Sequence, residues 1–533
     1  MNIGTNIRKL TLVFVALFLA ISGGLVYWQV VVAQQVTSNV HNSRTCLPGN
    51  APIRGNIYDR NGVLLAYSVP SNTGCGYIRH YTDPSLAGLI GYYVSPQFPS
   101  TGIEHQFDTV LSGQSGPTAM DNLMNKTLHR SPVGGNIYLT IDERIQQIVN
   151  QRFNDPIPID NVNTFTTDRG SVIVTNPHTG EILAMLSQPT FDPNNLVQTL
   201  ASGNLDYYNQ LVANPEQPLL ERPINGLFIP GSIYKTATLE AGLDSGSTTL
   251  NQQFDKQQAE GPVNVNGEVI GPIGNNIDTF TFRFPVTTEY GFSHSDNLIY
   301  AQVAAETGAQ TWLDYQHRFY VGQPIPFDLP VTPSQVTRPG ETTLNGIDLA
   351  NDGFGQGVDQ MTPLQMSLFD NAAANNGQLM RPSIVLKETD ANKNVTQTST
   401  PEVLGQPISQ QTATEVRQAM YGVTQCGSLL IVPQVHNSPW GIIGKTGTGQ
   451  VSDNGQIPAN GWTISQAPYS ITDPNQLPPL TIVAMKENGG EGGSVDGPMI
   501  ANMYQDIYSN GYVQAQLPPT PDPNYCGNTG LLQ

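Results

Sequence analysis

The sequence predicts an α+β fold whose central antiparallel sheet is completed by strands from both ends of one large domain. Residues 170–187 form the clearest β-hairpin pattern in the chain, with a turn at 177–180. Strand-like runs return late in the chain, at 440–445, 461–466 and 480–486. Helical patterns fill the region between the two groups of strands. Early and late strands therefore have to meet in one sheet that carries a helical insertion.

The N-terminal segment is predicted to cross a membrane once. Residues 10–32 contain no charged residue, and this length suits a bilayer-spanning helix. Arg8 and Lys9 precede the segment, and the next basic residue is Arg44, which predicts a cytoplasmic N-terminus and an extracytoplasmic remainder. A cleaved signal peptide is the alternative. The apolar run exceeds an ordinary signal core, which favours an uncleaved membrane anchor.

Between the anchor and the large domain, the sequence predicts a smaller domain that begins with a β-hairpin at 54–66. A strand at 136–142 then leads into a helix at 143–153, with Thr140 and Asp142 as natural caps. The predicted division comprises a cytoplasmic tail (1–9), an anchor (10–32), an N-terminal domain (33–130), the large domain (131–517) and a Pro-rich tail (518–533).

Composition excludes several function classes. The formal charge is −19 with only 23 Lys and Arg residues, so little would neutralise the phosphates of a nucleic acid. The sequence contains no phosphate-binding loop of the GxxxxGK[ST] type and no zinc-type Cys/His spacing. We therefore expect no nucleic acid, no metal and no cofactor.

The chain has four cysteines, which are widely spaced. In an exported domain they can form two disulfides, and sequence alone leaves three pairings open, besides four free thiols. The preferred pairing is Cys46 with Cys75 and Cys426 with Cys526, because each bond would then stay within one domain.

Ser232 opens the stretch with the most specific chemistry. Pro230 and Gly231 break the preceding structure, and residues 236–241 suit a helix that ends near Gly242. A serine at a helix N-terminus lies where an alkoxide is favoured. Lys235 follows three residues later on the same face, and a desolvated lysine can accept a hydroxyl proton near neutral pH. A plain helix cap is the alternative role for this serine.

Two further motifs favour catalysis. Ser295-Asp296-Asn297 and Lys445-Thr446-Gly447 follow Ser232-x-x-Lys235 in the order S-x-x-K, S-D-N, K-T-G. This set is the known signature of penicillin-binding proteins and class A β-lactamases. Together with the anchor and the smaller domain, it makes the chain resemble a class B penicillin-binding protein, a peptidoglycan D,D-transpeptidase.

The resemblance extends beyond the three motifs. Residues 54–66, 91–93 and 100–113 resemble segments of the membrane-proximal "pedestal" of this family, to which we assign no chemistry. Residues 355–357 resemble a glycine-bounded loop before the family's last strands. The run 461–465 is more polar than the family's usual strand, which leaves the packing of the sheet there open.

The resemblance also implies roles for individual residues. Ser232 is implied to be the nucleophile and Lys235 the base for acylation, while Ser295 relays a proton and Asn297 holds the substrate amide. Lys445 is implied to supply positive charge, and the remaining substrate-binding positions are Thr446, Gly447 and Thr448. The backbone N–H groups of Ser232 and Thr448 would form the oxyanion hole. Asp296 is expected to face solvent.

The implied substrates are D-Ala-D-Ala stem peptides of nascent or lipid-linked peptidoglycan, with β-lactams as covalent inhibitors. A D,D-carboxypeptidase and a non-enzymatic β-lactam sensor or assembly scaffold remain alternatives. The pedestal favours the transpeptidase over the carboxypeptidase. A class A β-lactamase shares the motifs, but it is smaller, secreted and needs a glutamate-activated water, and no loop between Asn297 and Lys445 stands out as the source of that glutamate. Nothing before the large domain resembles a glycosyltransferase, so the resemblance implies a separate glycan polymerase as a partner.

Overall fold

The computed structural model describes residues 3–28, 53–72, 76–95, 98–115, 118–119, 122, 133–158, 164–165, 168–265, 268–270, 284–452, 457–519, 521 and 523–531. Within these ranges one helix, Ile3–Val26, is long and apolar enough to cross a membrane. Its segment Arg8–Val26 has a mean hydropathy of 2.2 and is not buried against the rest of the protein. The last residues of the predicted span, 29–32, lie outside the described part.

The first folded region is built on a six-stranded sheet, which we call the pedestal sheet. Ile57 and Tyr58 pair with the strand Leu64–Pro70, which forms the predicted hairpin, and they run parallel to the strand Asn136–Leu139. In spatial order the strands are Val395–Thr398, Val385–Thr389, Asn136–Leu139, Ile57–Tyr58, Leu64–Pro70 and Tyr77–Tyr81. Short helices at Pro84–Leu86, Ala87–Ile90, Gly102–Gln106 and Asp108–Leu111 cover it.

Two strands of the pedestal sheet come from late in the chain. Val385–Thr389 pairs with Asn136–Leu139, and Val395–Thr398 extends the sheet at its edge. The sequence placed residues 131–517 together in one domain, whereas this sheet joins strands from both sides of residue 130. The residue boundaries of the division therefore remain a prediction.

A buried ion-pair network stabilises the pedestal. Glu104 is fully buried, and its two carboxylate oxygens accept hydrogen bonds from Arg54 Nε at 2.5 Å and Arg79 Nε at 2.6 Å. Arg54 also contacts Asp108. Burial alone would raise the pKa of Glu104, but Arg79 and Arg54 hold it below its ordinary value. Glu104 and Asp108 thus have structural contacts, in line with the absence of chemistry expected from these segments.

The large region is organised on a five-stranded antiparallel sheet, the central sheet. Its spatial order is Ile443–Gly449, Asn460–Ala467, Leu480–Lys486, Gly170–Thr175 and Ile182–Gln188. Strands from both ends of the region meet here, so the predicted central sheet is confirmed. The first late strand begins at Ile443 and not at 440 because Gly441 adopts a left-handed φ of 55°.

The strand Asn460–Ala467 is buried along its whole length although it carries polar residues. Ser465 Oγ donates to Ile482 O at 2.9 Å, and Gln466 Nε2 donates to Asp370 Oδ1 at 2.9 Å. Trp462 Nε1 donates to Ile229 O at 3.0 Å. Internal hydrogen bonds therefore offset the cost of burying these polar groups.

Helices pack on both faces of the central sheet and fill the insertion. The predicted helix at 143–153 is present with Asp142 as its N-cap, whereas Thr140 donates to Ile182 O and caps no helix. The closing helix spans Gly492–Ser509 and begins with two glycines. A β-carbon on Gly492 would lie 2.0 Å from Trp462 O, so close packing explains this helix-breaking residue. The helices are Glu143–Phe153, Pro193–Ala201, Asp206–Ala213, Arg222–Asn225, Lys235–Ser245, Lys256–Glu260, Thr288–Ser293, Asn297–Thr307, Ala309–Arg318, Gly346–Asp352, Pro363–Ala374, Gln410–Gln425, Pro433–His436, Gly492–Ser509 and Tyr525–Thr529.

Short strand pairs complete the fold. They join Gln253–Phe254 with Val286–Thr287, Val263–Val265 with Glu268–Ile270, Leu379–Met380 with Val403–Gly405, and Ile157–Pro158 with Thr164–Phe165. A disulfide links Cys426, at the end of the helix Gln410–Gln425, to Cys526 near the C-terminus. Cys46 and Cys75 lie outside the described residues.

Candidate active site

Ser232 lies in a 3-10 turn that continues directly into a helix. The turn spans Gly231–Tyr234 and the helix Lys235–Ser245, which extends three residues past the predicted end at Gly242. Ser232 is therefore inside the turn, and Pro230 occupies the cap position. Side chains three residues apart eclipse each other in a 3-10 turn. This geometry brings Lys235 Nζ within 2.8 Å of Ser232 Oγ.

Ser295 occupies the short link between the helices Thr288–Ser293 and Asn297–Thr307. Its φ of 65° is left-handed, which costs a non-glycine residue about 1 kcal/mol. Asp296 caps the second helix by accepting from Ile299 N at 3.0 Å and is 8% exposed. The expectation that Asp296 faces solvent is wrong, because the cap draws its carboxylate into the helix end.

Lys235 lies at the centre of the site and is fully buried. Besides Ser232 Oγ, its amine contacts Asn297 Oδ1 at 2.6 Å and two atoms of Ser295, the carbonyl oxygen at 2.7 Å and Oγ at 3.1 Å. The first two predicted motifs therefore meet at one nitrogen.

Lys445 brings the third motif to the same point from the edge strand Ile443–Gly449. Its amine donates to Ser295 Oγ at 3.0 Å and to Thr446 O at 2.9 Å. The Ser295 hydroxyl thus lies between two lysine amines. All three motifs converge in space as the sequence predicted.

Burial weakens the proton affinity of both amines. It lowers the pKa of Lys235 well below the ordinary value of 10.5, and the charge of Lys445 lowers it further, while Asp296 opposes the shift. Burial also lowers the pKa of Lys445 to about 7. Lys445 can therefore exchange protons near neutral pH, and Lys235 holds its proton less tightly than an exposed lysine.

The edge strand lies directly against the serine turn. A β-carbon on Gly447 would lie 2.8 Å from Ile233 N, and one on Gly449 would lie 2.1 Å from Ile229 O. Side chains at these positions would push the strand away from Ser232. The absence of a side chain at Gly447 thus lets the strand lie close to the turn, and Thr448 lies beside the turn.

Two residues at this site escaped the sequence analysis. Ser428 Oγ lies 2.8 Å from Thr446 Oγ1, and Gln356 Nε2 donates to Thr448 O at 2.7 Å. Ser428 follows the Cys426 helix end and matches no motif, so no sequence signal marks it. Gln356 belongs to the glycine-bounded loop 355–357, whose two glycines were the available signal.

No group of three or more His, Cys, Asp or Glu side chains in the described part of the chain could hold a metal ion. The chemistry derived below uses only hydroxyl, amine, amide and backbone groups of this chain. The absence of a cofactor remains a prediction from the sequence.

Comparison with known families identifies the class of protein that this fold and site define. The family model described as the penicillin binding protein transpeptidase domain matches residues 170–511, which is more than half of the chain. A second model, the penicillin binding protein A dimerisation domain, matches residues 54–137. The chain belongs to the penicillin-binding protein transpeptidase family. The predicted family, the fold and the class of enzyme, a serine D,D-transpeptidase, are confirmed.

Individual relatives and a solved structure are also similar to this chain. Peptidoglycan D,D-transpeptidase PbpA of Mycolicibacterium smegmatis is 28% identical over 511 residues, covering 93% of this chain and 96% of the relative. MrdA of Salmonella typhimurium is 25% identical over 474 residues, covering 81% and 70% respectively. The ceftriaxone acyl-enzyme structure of penicillin-binding protein A from M. tuberculosis matches with a TM-score of 0.72 and 26% identity, covering 85% of this chain and 97% of that one.

Proposed function

We propose that Ser232 is the nucleophile of a peptidoglycan D,D-transpeptidase. Its Oγ attacks the carbonyl carbon of the penultimate D-Ala of a stem peptide, and its proton passes to Lys235. The C–N bond then breaks, the terminal D-Ala leaves with a proton, and an ester remains on Ser232. The amine of a second stem peptide attacks the ester carbonyl and loses a proton, the C–O bond to Ser232 Oγ breaks, and the serine regains its proton as the amide cross-link forms. A β-lactam enters by the same first step and stays bound as an ester.

The contacts of Lys235 carry this proposal. Asn297 Oδ1 and Ser295 O can only accept hydrogen bonds, and they are the closest partners of the amine, at 2.6 and 2.7 Å. A neutral amine has two N–H donors, which these two oxygens occupy. Its lone pair is then free for the Ser232 hydroxyl at 2.8 Å. The lowered pKa of Lys235 supports a neutral amine before acylation.

Ser295 is proposed to relay protons. Its Oγ is 3.1 Å from Lys235 Nζ and 3.0 Å from Lys445 Nζ, so a proton can pass through this hydroxyl to the leaving amine. Asn297 fixes Lys235 through Oδ1, and its side-chain amide nitrogen is proposed to hold the substrate peptide. Lys445 supplies positive charge while it is protonated.

The N–H groups of Ser232 and Thr448 are proposed to stabilise the tetrahedral oxyanion. The turn and the edge strand approach each other closely at Gly447, which supports a single oxyanion position between the two backbone donors. Loss of one such donor costs about 100-fold in rate. The hydroxyls of Thr446 and Thr448 are proposed to bind the terminal carboxylate, and Ser428 orients the Thr446 hydroxyl.

The cellular setting is also a proposal. The apolar helix Ile3–Val26 is proposed to anchor the chain with its N-terminus in the cytoplasm and the catalytic region outside. A separate glycan polymerase is proposed to supply the strands that this enzyme cross-links.

The deciding experiment labels the full-length protein in detergent with a fluorescent penicillin and maps the modified peptide. We expect one stable adduct on Ser232, which Ser232→Ala abolishes. Ser202→Ala, a change at an exposed serine, serves as the matched control and should label like the wild type. Labelling that persists in Ser232→Ala would contradict the proposed nucleophile. Rapid hydrolysis of the drug would indicate a β-lactamase instead.

A further inference from the structure

The loop 353–358 supports the active site from outside the three motifs. Gly231 N donates to Gly355 O at 2.9 Å, so the loop bonds to the first residue of the serine turn. Gly355 has a left-handed φ of 84°, and a β-carbon there would lie 1.9 Å from Gly231 O. Phe228 and Met361 exchange a pair of backbone hydrogen bonds at 3.0 and 2.8 Å. The loop and the segment that follows it therefore bond to Gly231 and to Phe228, on either side of the two residues that lead into the turn.

The next residue of the loop reaches the edge strand. Gln356 Nε2 donates to Thr448 O at 2.7 Å across 92 residues of sequence. Thr446 O likewise accepts a hydrogen bond from a side chain, Lys445. Thr446 and Thr448 are two residues apart, so their carbonyl groups point to the same side of the strand. Because both carbonyls accept from side chains, this side is inferred to face away from the neighbouring strand. In an antiparallel ladder the N–H and C=O of one residue point to the same side, so the Thr448 N–H also faces the open edge.

A pair of buried carboxyl groups holds the loop in shape. Asp352 Oδ1 accepts from Val358 N at 2.7 Å, and Asp359 Oδ1 accepts from Gly357 N at 2.8 Å. The second oxygen of each carboxyl, Oδ2, is buried without a hydrogen-bond partner. Burial raises the pKa of Asp352 to about 9, with Asp359 adding to the shift, and burial raises the pKa of Asp359 to about 7. Near neutral pH the pair therefore retains a proton.

We infer that Gln356 is a positioning residue for acyl transfer, which holds the Thr448 peptide at a fixed distance from the serine turn. A single loop bonds to both walls of the proposed oxyanion hole, through Gly355 to the turn and through Gln356 to the strand. The inference rests on the proposed role of the Thr448 N–H. Gln356 itself need not touch the substrate.

This role predicts a specific kinetic defect. Without the side-chain amide, Thr448 is free to shift along or away from the turn, and small displacements of a catalytic donor are costly. We expect the acylation rate constant for a penicillin to fall about tenfold in Gln356→Ala, less than the 100-fold of a fully lost donor. The dissociation constant of the preceding non-covalent complex should change little. The pH dependence of acylation should keep its shape, because Lys235 and Ser295 are not altered.

The experiment measures stopped-flow acylation of the full-length protein by a fluorescent penicillin across penicillin concentration and pH. Gln356→Glu keeps the side-chain size but replaces the donor with an acceptor, so it should show at least the same defect. Gln360→Ala is the matched control, because Gln360 lies in the next segment and its side chain accepts from Gln335 Nε2 at 3.2 Å. The control should acylate like the wild type.

Several outcomes would overturn the inference. Wild-type acylation by Gln356→Glu would exclude a positioning role. If Gln360→Ala lost acylation rate to the same extent as Gln356→Ala, and both variants had a lower Tm, Gln356 would be a structural residue only. A shifted pH profile of acylation in Gln356→Ala would show that Gln356 acts through Lys235. Failure of the proposed function looks different, because the wild type itself would then form no adduct on Ser232.

Discussion

The pedestal and the active site both bury charged side chains, but they treat the charge in opposite ways. In the pedestal, Arg54 and Arg79 contact the two oxygens of Glu104, so each charge has an opposite partner. In the active site, the amines of Lys235 and Lys445 form hydrogen bonds with hydroxyl and carbonyl oxygens. The pedestal therefore stabilises its ions, whereas the active site favours uncharged amines.

The difference is visible in the direction of the pKa shifts. Burial would raise the pKa of Glu104, but Arg79 and Arg54 hold it below its ordinary value, so this group stays ionised. Burial against a second lysine lowers the pKa of Lys235, so this group readily gives up its proton. A buried ion pair is a structural device, and an uncompensated buried amine is a reactive one. Three predictions test this contrast.

The largest effect is expected from Lys235→Arg. An arginine stays protonated at accessible pH, so it cannot accept the Ser232 proton. We expect penicillin acylation to slow by about 1,000-fold, within the range for loss of a general base. Stopped-flow labelling measures the rate, and Lys387→Arg on the pedestal sheet is the control. Acylation within about tenfold of wild type would exclude Lys235 as an obligatory base.

The second effect is on stability. Glu104→Ala leaves Arg54 and Arg79 buried without their carboxylate, which should cost about 3 kcal/mol of unfolding free energy. Because the pKa of Glu104 lies below 4.5, its contribution is fully present above pH 4.5 and is lost as the pH falls below it. Urea titrations at several pH values measure this loss. Glu402→Ala, at a pair 3.9 Å apart and 64% exposed on the Glu402 side, should change stability little. Equal losses in the two variants would remove the distinction between the pedestal pair and an ordinary surface pair.

The smallest effect is a shift in pH dependence. The charge of Lys445 lowers the pKa of Lys235, so Lys445→Met should raise that pKa. The amine of Lys235 must be neutral to accept a proton, so the rising limb of the acylation profile should move to higher pH. Acylation rates of the variant and wild type between pH 5 and about 9 test this, independently of any uniform loss of rate. A limb that stays in place would mean that desolvation alone sets the pKa of Lys235.

Local patterns predicted the parts of the site that depend on neighbouring residues. Ser232 and Lys235 lie three residues apart, so a single turn brings them together whatever the rest of the fold does. The strand Leu480–Lys486 was predicted with its observed bounds because it contains the continuous apolar run 482–485 and no glycine or proline. Glycine-rich ends were predicted less well. The strand Ile443–Gly449 and the helix Gly492–Ser509 contain glycines that allow close packing against neighbouring backbone. Secondary-structure propensity treats a glycine as a break, so it does not predict these ends.

The sequence by itself determined the apolar N-terminal helix, the three motifs and the alternation of strands and helices, because these depend on composition and short spacing. Only the tertiary structure decided where Ser295 lies between two lysines, how far burial lowers their pKa values, and that Gln356 reaches Thr448. It also decided that the strand Val385–Thr389 joins the pedestal sheet. Each of these depends on contacts between residues tens to hundreds of positions apart, and desolvation exists only once the chain has packed around a group.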